Sequence, residues 1–255
     1  MATQDIHVSR EGTALRIQIA RPAKRNALTS SMYAAMADAM AQAEADPDIR
    51  AVIFTGEGAT FCAGNDLIDF VSDRPEPGTE TPVMRFIHAL AAARKVLIAA
   101  VQGRAIGIGT TLLLHCDFVL AEPDAQFQMP FVDLALVPEA GSSLLVPNLV
   151  GQRRAAELLL LGEAIDAHRA EAWGLVTRIV PAGTALAEAQ ALAARLAQKP
   201  AGALLASKTL MKSPTRDLHA RIAEESLAFG AQLQTDELRQ TVQNFFQSRA
   251  KANAA

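Results

Sequence analysis

The sequence contains few cysteines, and they are not arranged to bind a metal or to form a disulfide framework. Cys62 and Cys116 are the two cysteines among 255 residues, and neither belongs to a CxxC pair or has a histidine at zinc-ligand spacing. The five histidines are scattered and form no HExxH-type group. We therefore expect a reduced protein without a metal site, in which both cysteines are small buried hydrophobic residues.

Long apolar runs and an excess of positive charge are also absent. Half of the residues are apolar, yet no run approaches the roughly 18 residues that would suggest a membrane span. Lys and Arg number 24 against 27 Asp and Glu, and the net charge of −3 leaves no electrostatic footprint for nucleic acid. The first residues show no signal pattern and the last no Ser-Lys-Leu address. We expect a cytoplasmic protein with no nucleic-acid or membrane partner.

The hydrophobic pattern indicates an α/β fold. Residues 14–20 alternate between apolar and polar, as in a half-buried strand, whereas 51–56 and 96–103 are continuous apolar runs typical of strands covered on both faces. A helix capped by Ser30 or Ser31 is predicted to lie between the first two of these strands. Shorter strands are predicted at 118–123, 125–130 and 175–181. From Pro138 onward the pattern is mostly helical and ends in three long alanine-rich helices, so we predict a parallel-rich sheet followed by helices.

Two turns rich in small residues follow predicted strands. The segment "GRAIGIGTTL" (103–112) has two of the three glycines of a dinucleotide-binding fingerprint but carries Leu112 at the third, which is a weak match. The segment "FCAGND" (61–66) ends in Asp66, which can cap a following helix. Two such turns could aim two backbone N–H groups at one point, forming an oxyanion hole. Taken alone, the residues favour two ordinary tight turns.

Two charged segments each have two interpretations. Glu139, in "DLALVPEAGSS", is either an acid in the first turn of a helix or a base whose pKa is raised by an apolar pocket. The segment "RPAKRNAL" (21–28) carries Arg21, Lys24 and Arg25. It is either a solvated basic turn or a loop that binds anions such as phosphates.

Five segments together resemble the enoyl-CoA hydratase/isomerase (crotonase) superfamily, most closely its monofunctional Δ3,Δ2-enoyl-CoA isomerases. They occur in the expected order over nearly the whole chain: "RPAKRNAL", "AVIFTGEGATFCAGNDL", "AAVQGRAIGIGTTLLLHCDFVLAEPDAQFQMP", "LALVPEAGSSLLVPNLVG" and "AEAWGLVTRIVP". The resemblance implies a spiral of ββα units at 1–195 with the acyl-CoA site, and a C-terminal helical region at 196–255 that mediates homotrimers or hexamers.

The resemblance also implies a set of site residues. The backbone N–H groups of Asn65 and Ile108 would hold the thioester oxygen of an acyl-CoA substrate. No cofactor is implied beyond the coenzyme A of the substrate. The residues along which the CoA portion would lie are Lys24, Ala27, Ala63, Gly64, Asp66 and Leu67.

Departures from the family pattern bear on the reaction. Hydratases of this family carry two glutamates, and the matching positions here hold Thr111 and Phe131. The isomerases place their acid where this chain has Glu139. One carboxylate can take a proton from C2 and return it at C4 of a 3-enoyl-CoA. We therefore predict an isomerase in which Glu139 is the proton shuttle and is walled by Leu134, Leu136 and Phe131.

Other functions remain open at this stage. Within the same fold, 2-enoyl-CoA hydration, dehalogenation or thioester hydrolysis are alternatives, because one site can host several chemistries. A non-catalytic acyl-CoA-binding subunit is an alternative from another class. Phe70, Phe86 and Leu90 are candidates for the acyl pocket, together with a long loop predicted at 72–82.

Overall fold

The structure, a computed structural model, describes residues 5–68, 80–212 and 215–254. Phe70 and residues 72–79 of the predicted loop at 72–82 lie outside these ranges. The described strands are β1 (Ile6–Glu11), β2 (Ala14–Ile19), β3 (Ala51–Gly56), β4 (Val96–Val101), β5 (Arg104–Ile106), β6 (Phe118–Ala121), β7 (Gln126–Gln128), β8 (Ile165–Asp166) and β9 (Arg178–Ile179).

The described helices lie mostly in the second half of the chain. They are α1 (Ser30–Ala45), α2 (Pro82–Ala91), α3 (Ile108–Thr111), α4 (Ser142–Val150), α5 (Gln152–Leu159), α6 (Ala167–Ala172), α7 (Ala185–Ala197), α8 (Ala201–Met211), α9 (Thr215–Leu233) and α10 (Asp236–Ala254). Short 3₁₀ turns span Pro22–Lys24, Leu112–His115 and Val132–Leu134. The cap of α1 was predicted at Ser30 or Ser31, but Ser30 already belongs to the helix and Thr29 occupies the N-cap position.

A six-stranded sheet forms the centre of the fold, in the order β1-β2-β3-β4-β6-β9. The β1–β2 pair is antiparallel, and every later neighbour in this sheet is parallel. Strands β3 and β4 are buried along their whole length, as their continuous apolar runs predicted. The parallel-rich α/β prediction is confirmed, although β1 was not foreseen.

The sheet is covered on both faces. On one face, the large core contains the apolar side of α1, with Met32, Met36 and Met40 fully buried. On the other, a smaller core forms between alternate strand residues such as Ile53 and Ile98 and the helix α7. A second sheet has the order β5-β7-β8, and the chain passes from β4 of the first sheet to β5 of the second through Gly103. Gly103 has φ 57°, and a Cβ there would lie 1.9 Å from the carbonyl oxygen of Ala59, so only glycine fits this turn.

The C-terminal region holds four described helices rather than the three predicted. The predicted count of three is therefore wrong; Pro200 stands at the N-cap of α8 and separates it from α7. The predicted boundary at 195/196 falls inside α7, which packs on the sheet. The next helix is tied to the core by Lys208, whose ammonium lies 2.7 Å from a carboxylate oxygen of the largely buried Asp117. Within the described ranges no helix is long and apolar enough to cross a lipid bilayer.

Candidate active site

Two turns lie side by side at the end of the buried strands. Cys62 and Ala105 form a parallel bridge, in which the Cys62 N–H donates to Arg104 and the Cys62 carbonyl accepts from Ile106. Asn65 and Ile108 each lie three residues beyond this bridge. The register therefore brings together the two residues whose N–H groups were predicted to form an oxyanion hole.

Glycine allows the two turns to approach each other. Gly64 has φ 89°, and a Cβ on Gly107 would lie 3.9 Å from its Cα. A Cβ on Gly109 would lie 2.7 Å from the Cys62 carbonyl oxygen, so this position excludes every larger residue. The glycines of "GIG" thus serve close packing of backbone on backbone.

The two predicted donors have no acceptor within the described part of the chain. Leu28 brackets Asn65 by donating to Gly64 O and accepting from Asp66 N, both at 2.8 Å. Because peptide directions alternate in an extended segment, the Asn65 N–H faces away from Leu28. Ile108 opens α3, where the first N–H groups have no partner within the helix. Both N–H groups are therefore available to a ligand.

Tyr33 on α1 holds the side chain of Asn65, a contact that the sequence did not reveal. Its buried hydroxyl donates a hydrogen bond to Oδ1 of Asn65, and its ring packs against Phe86 at a centroid distance of 5.9 Å. Burial raises the pKa of Tyr33 well above its ordinary value, and the charges of Glu139 and Cys62 raise it further. The phenol therefore stays protonated and acts as a donor.

The first loop, residues 21–28, is joined to the second loop, residues 57–68, by two side chains. Asn26 is fully buried, and its amide nitrogen lies 2.9 Å from Glu57 O and 2.6 Å from Thr60 O. Arg21 donates to Ala27 O at 3.0 Å and to a carboxylate oxygen of Asp66 at 2.8 Å. Arg21 thus has a structural role in joining the two loops.

The residues predicted to bind CoA lie on these two loops. The side chains of Lys24 and Arg25 are exposed, whereas Ala63 donates its N–H to Arg25 O at 3.1 Å. Asp66 also accepts from Ile68 N at 3.1 Å, as expected of a helix cap. Burial would raise the pKa of Asp66, but the hydrogen bond and charge of Arg21 outweigh it, and the pKa falls below its ordinary value. The remaining predicted residues, Ala27, Gly64 and Leu67, lie in the same two segments.

Glu139 is buried beside these turns, with an exposed fraction of 7%. Its Oε1 accepts a hydrogen bond of 2.8 Å from the hydroxyl of the fully buried Thr111. Burial raises the pKa of Glu139 from 4.5 to about 7; the Thr111 hydrogen bond acts in the opposite direction, and the charge of Glu225 adds to the rise. A carboxyl group with this pKa can both take up and release a proton near neutrality.

The acid at the start of α4 is Glu225 and not Glu139. The helix begins at Ser142, three residues after Glu139. The carboxylate of Glu225, on α9, accepts from the N–H groups of Gly141 and Ser143, the latter at 2.8 Å. Of the two interpretations of Glu139, the acid in the first helical turn is therefore contradicted, while burial supports the base in an apolar pocket.

The backbone after Glu139 is held in a left-handed conformation. Ala140 has φ 57° and Gly141 has φ 73°, a combination that costs energy at the alanine. His115 is buried, and burial lowers its pKa to about 4, so the ring is neutral. Its Nε2 lies 2.8 Å from Ala140 O and carries the hydrogen of this bond. The Glu139 carbonyl accepts from the Ser142 hydroxyl at 2.6 Å.

The predicted apolar wall and pocket residues lie mainly in the large core. Phe131 and Leu136 are buried there and Leu134 is partly buried against it. Phe86 and Leu90 are fully buried. The ring of Phe86 packs against that of Tyr33 and so supports it. Among the described residues, no group of three His, Cys, Asp or Glu side chains is arranged to hold a metal ion.

Comparison with known proteins gives matches along almost the whole chain. Residues 9–253 match the family model described as enoyl-CoA hydratase/isomerase. The chain is 38% identical over 196 residues to the 1,2-epoxyphenylacetyl-CoA isomerase of Escherichia coli (strain K12), covering 74% of this chain and 75% of that one. It is 33% identical over 256 residues to the peroxisomal enoyl-CoA delta isomerase 3 of Mus musculus, covering 98% and 80%. The structure of Pseudomonas aeruginosa OdaA is similar with a TM-score of 0.92 at 42% identity, covering 95% and 99%.

Proposed function

Because the chain belongs to the enoyl-CoA hydratase/isomerase family, we propose that it isomerises 3-enoyl-CoA to 2-enoyl-CoA. The family match confirms the resemblance stated from the sequence, and the similar solved structure confirms the crotonase-like α/β fold. The reaction within the family is our proposal, as are the roles of the site residues.

The observation that carries the proposal is the buried carboxylate of Glu139, which keeps one oxygen without a partner among the described residues. Oε1 of Glu139 is bonded to Thr111, whereas Oε2 has no hydrogen-bond partner among the described residues. The nearby carboxylate of Glu225 is occupied by two backbone N–H groups. Adding water to a double bond requires groups that activate the water and protonate carbon, whereas moving a double bond requires one base that becomes an acid.

The proposed reaction begins with proton removal. Glu139 takes a proton from C2, the C2–H bond breaks, and its electron pair passes into the thioester as a dienolate. The N–H groups of Asn65 and Ile108 stabilise the negative charge that develops on the thioester oxygen. Glu139 then donates its proton to C4, the double bond forms between C2 and C3, and the carbonyl is restored. The step needs no oxidant, reductant or cofactor beyond the CoA of the substrate.

The exposed basic side chains on the first loop support a substrate with an anionic portion, such as the phosphate groups of CoA. Lys24 and Arg25 are exposed on the first loop, which is bonded to the second loop through Ala63 and Asp66. Phosphate groups at this edge would lie near cations, while the thioester reaches the two free N–H groups. We therefore assign the predicted residues of both loops to the CoA portion of the substrate.

Two of the relatives support isomerisation, while others are named enoyl-CoA hydratases. The Escherichia coli and Mus musculus relatives are both described as isomerases of CoA thioesters. One acid and an oxyanion hole would serve either substrate. Isomerisation of a ring epoxide of an arylacetyl-CoA is therefore the second candidate, and hydration is the third.

A spectrophotometric assay tests the proposal. Purified protein should convert 3-hexenoyl-CoA to the conjugated product, and Glu139→Gln should lose at least about a thousandfold of this activity, because the proton carrier is removed. Near-full activity in that variant would refute the mechanism. Crotonyl-CoA hydration at a rate comparable to isomerisation would favour the hydratase, and turnover of 1,2-epoxyphenylacetyl-CoA alone would favour the second candidate. Binding of CoA esters without turnover of any of the three would indicate a non-catalytic subunit.

We also propose that the chain forms a homotrimer or hexamer. Exposed apolar side chains on two neighbouring segments support this. Gln128 donates to Gly162 O at 2.9 Å, and a Cβ on Gly162 would lie 3.2 Å from the Cα of Pro130, so the 160–162 turn lies beside residues 130–133. Val132, Leu160 and Leu161 on these segments are 50%, 64% and 63% exposed. Light scattering after size-exclusion chromatography would give the number of chains, and a monomer at micromolar concentration would contradict the proposal.

A further inference from the structure

Thr111 occupies a position from which it can control one oxygen of the proposed base. It lies three residues after Ile108, at the end of α3, and its side chain is fully buried. Its hydroxyl donates to Oε1 of Glu139 at 2.8 Å. In a buried site a hydrogen bond to an ionised group is stronger than one between neutral groups.

The other titratable groups around Glu139 are engaged elsewhere or do not carry a mobile proton. The Tyr33 hydroxyl donates to Asn65, and burial raises the pKa of the Cys62 thiol to about 12. The neutral ring of His115 donates to Ala140 O, and Glu225 accepts from Gly141 and Ser143. Thr111 is therefore the one side chain in the described ranges that donates to the Glu139 carboxylate.

We infer that Thr111 is a positioning residue, whose hydroxyl fixes Oε1 of Glu139 and leaves Oε2 as the oxygen that carries the proton between C2 and C4. This inference rests on the proposed function for its reaction and on the observed hydrogen bond for its geometry. The hydroxyl also favours the ionised carboxylate, which is the form that removes the first proton. Where a second acid would stand in a hydratase, this chain thus holds a group that restrains the remaining acid.

The direct test replaces the hydroxyl with a methyl group of similar size. In Thr111→Val, the pH at which Glu139 is half ionised should rise by about one pH unit, because a hydrogen bond that stabilises the charged form is lost. The acid limb of kcat/KM against pH should move upward by the same amount. At a pH above the acid limbs of both proteins, kcat of Thr111→Val should remain about tenfold below that of wild type. KM should be nearly unchanged, because the loss is that the carboxylate is no longer held in place.

Two variants control for packing. Thr111→Ser keeps the hydroxyl and should restore the wild-type pH profile and most of kcat. Thr110→Val removes a neighbouring buried hydroxyl that donates to Ala105 O at 2.6 Å; it should lower stability without moving the acid limb. If Thr111→Val does not fold, Thr111→Ala compared with Thr111→Ser supplies the same contrast.

The outcomes separate this inference from the proposed function. A wild-type acid limb and kcat in Thr111→Val would overturn it, as would a Thr111→Ser variant as impaired as the valine variant. Infrared difference spectra against pH follow the protonated carboxyl band that disappears in Glu139→Gln, and this readout needs no turnover. If the protein fails to isomerise 3-hexenoyl-CoA, that band should still move to higher pH in Thr111→Val. An unmoved band would refute the hydrogen bond's role regardless of the reaction.

Discussion

Replacing the buried acid with its neutral amide should stabilise the protein while removing its activity. The pKa of Glu139 rises from 4.5 to about 7 on folding because burial penalises the charged form. The folded state therefore binds this proton more tightly than the unfolded state. Stability falls as the pH rises between these two values. The cost of the charge is absent below about pH 4.5 and complete above about pH 7.

The size of the effect follows from the two pKa values. Each pH unit between them corresponds to about 1.4 kcal/mol, so the ionised carboxylate costs roughly 3 kcal/mol at pH 8 and roughly 1 kcal/mol at pH 5. Glu139→Gln has no charge at either pH. Its amide nitrogen adds a packing or hydrogen-bonding penalty of its own, but that penalty does not depend on pH. The stability of the variant relative to wild type should therefore rise by about 2 kcal/mol between pH 5 and pH 8.

The measurement is urea unfolding of both proteins at several pH values and one protomer concentration, followed by far-ultraviolet circular dichroism. Equal protomer concentrations matter because assembly contributes to apparent stability. Glu163→Gln is a matched control, since Glu163 is exposed on the turn after α5, and its relative stability should vary little with pH. A difference between Glu139→Gln and wild type that stays constant from pH 5 to pH 8 would refute the assignment of a raised pKa to Glu139.

Three further variants test the surroundings of the site. Tyr33→Phe removes the donor to Asn65 Oδ1 and should lower kcat about tenfold with a small change in KM, because a loosened oxyanion donor costs less than a deleted one; an unchanged kcat would contradict the supporting role. Glu225→Gln removes a negative charge that raises the pKa of Glu139, so the acid limb of kcat/KM should move to lower pH, opposite to Thr111→Val, and a shift upward would count against the electrostatic account. Lys208→Met leaves the carboxylate of Asp117 without its 2.7 Å partner and should lower the free energy of unfolding by about 3 kcal/mol in urea titrations. A loss below about 1 kcal/mol would show that Lys212, whose ammonium lies 3.7 Å from the other carboxylate oxygen of Asp117, compensates.

Local patterns predicted the parts of the fold that depend on neighbours along the chain. The continuous apolar runs of β3 and β4 and the alternation in β2 were sufficient to identify these strands. Strand β1 was missed because Ile6 is its single buried residue, so the strand has little of the alternation that marks a half-buried face. The C-terminal helices were predicted as three, without bounds, whereas the structure describes four.

In the candidate site, too, the sequence predicted some features and not the contacts between residues that are distant along the chain. Resemblance predicted Asn65, Ile108 and Glu139 as site residues, and the parallel register at Cys62 and Ala105 places the first two side by side. The supporting contacts could not be predicted, because they join residues far apart in the chain. Thr111 and Glu139 are 28 positions apart and Tyr33 and Asn65 are 32 apart. No periodicity within one element encodes such a pair.

The position of Glu225, whose carboxylate caps α4, has a consequence for folding during synthesis on the ribosome. Glu225 lies 84 positions after Gly141, whose N–H it accepts. At about 5–20 residues per second, a ribosome needs roughly 4–17 seconds to make that stretch. When this interval begins, every described strand of the central sheet except β9 has been made, but the backbone after Glu139 lacks its distant acceptor. A nascent chain released before Glu225 would therefore carry every predicted catalytic group but would lack the carboxylate that accepts from the N–H groups of Gly141 and Ser143.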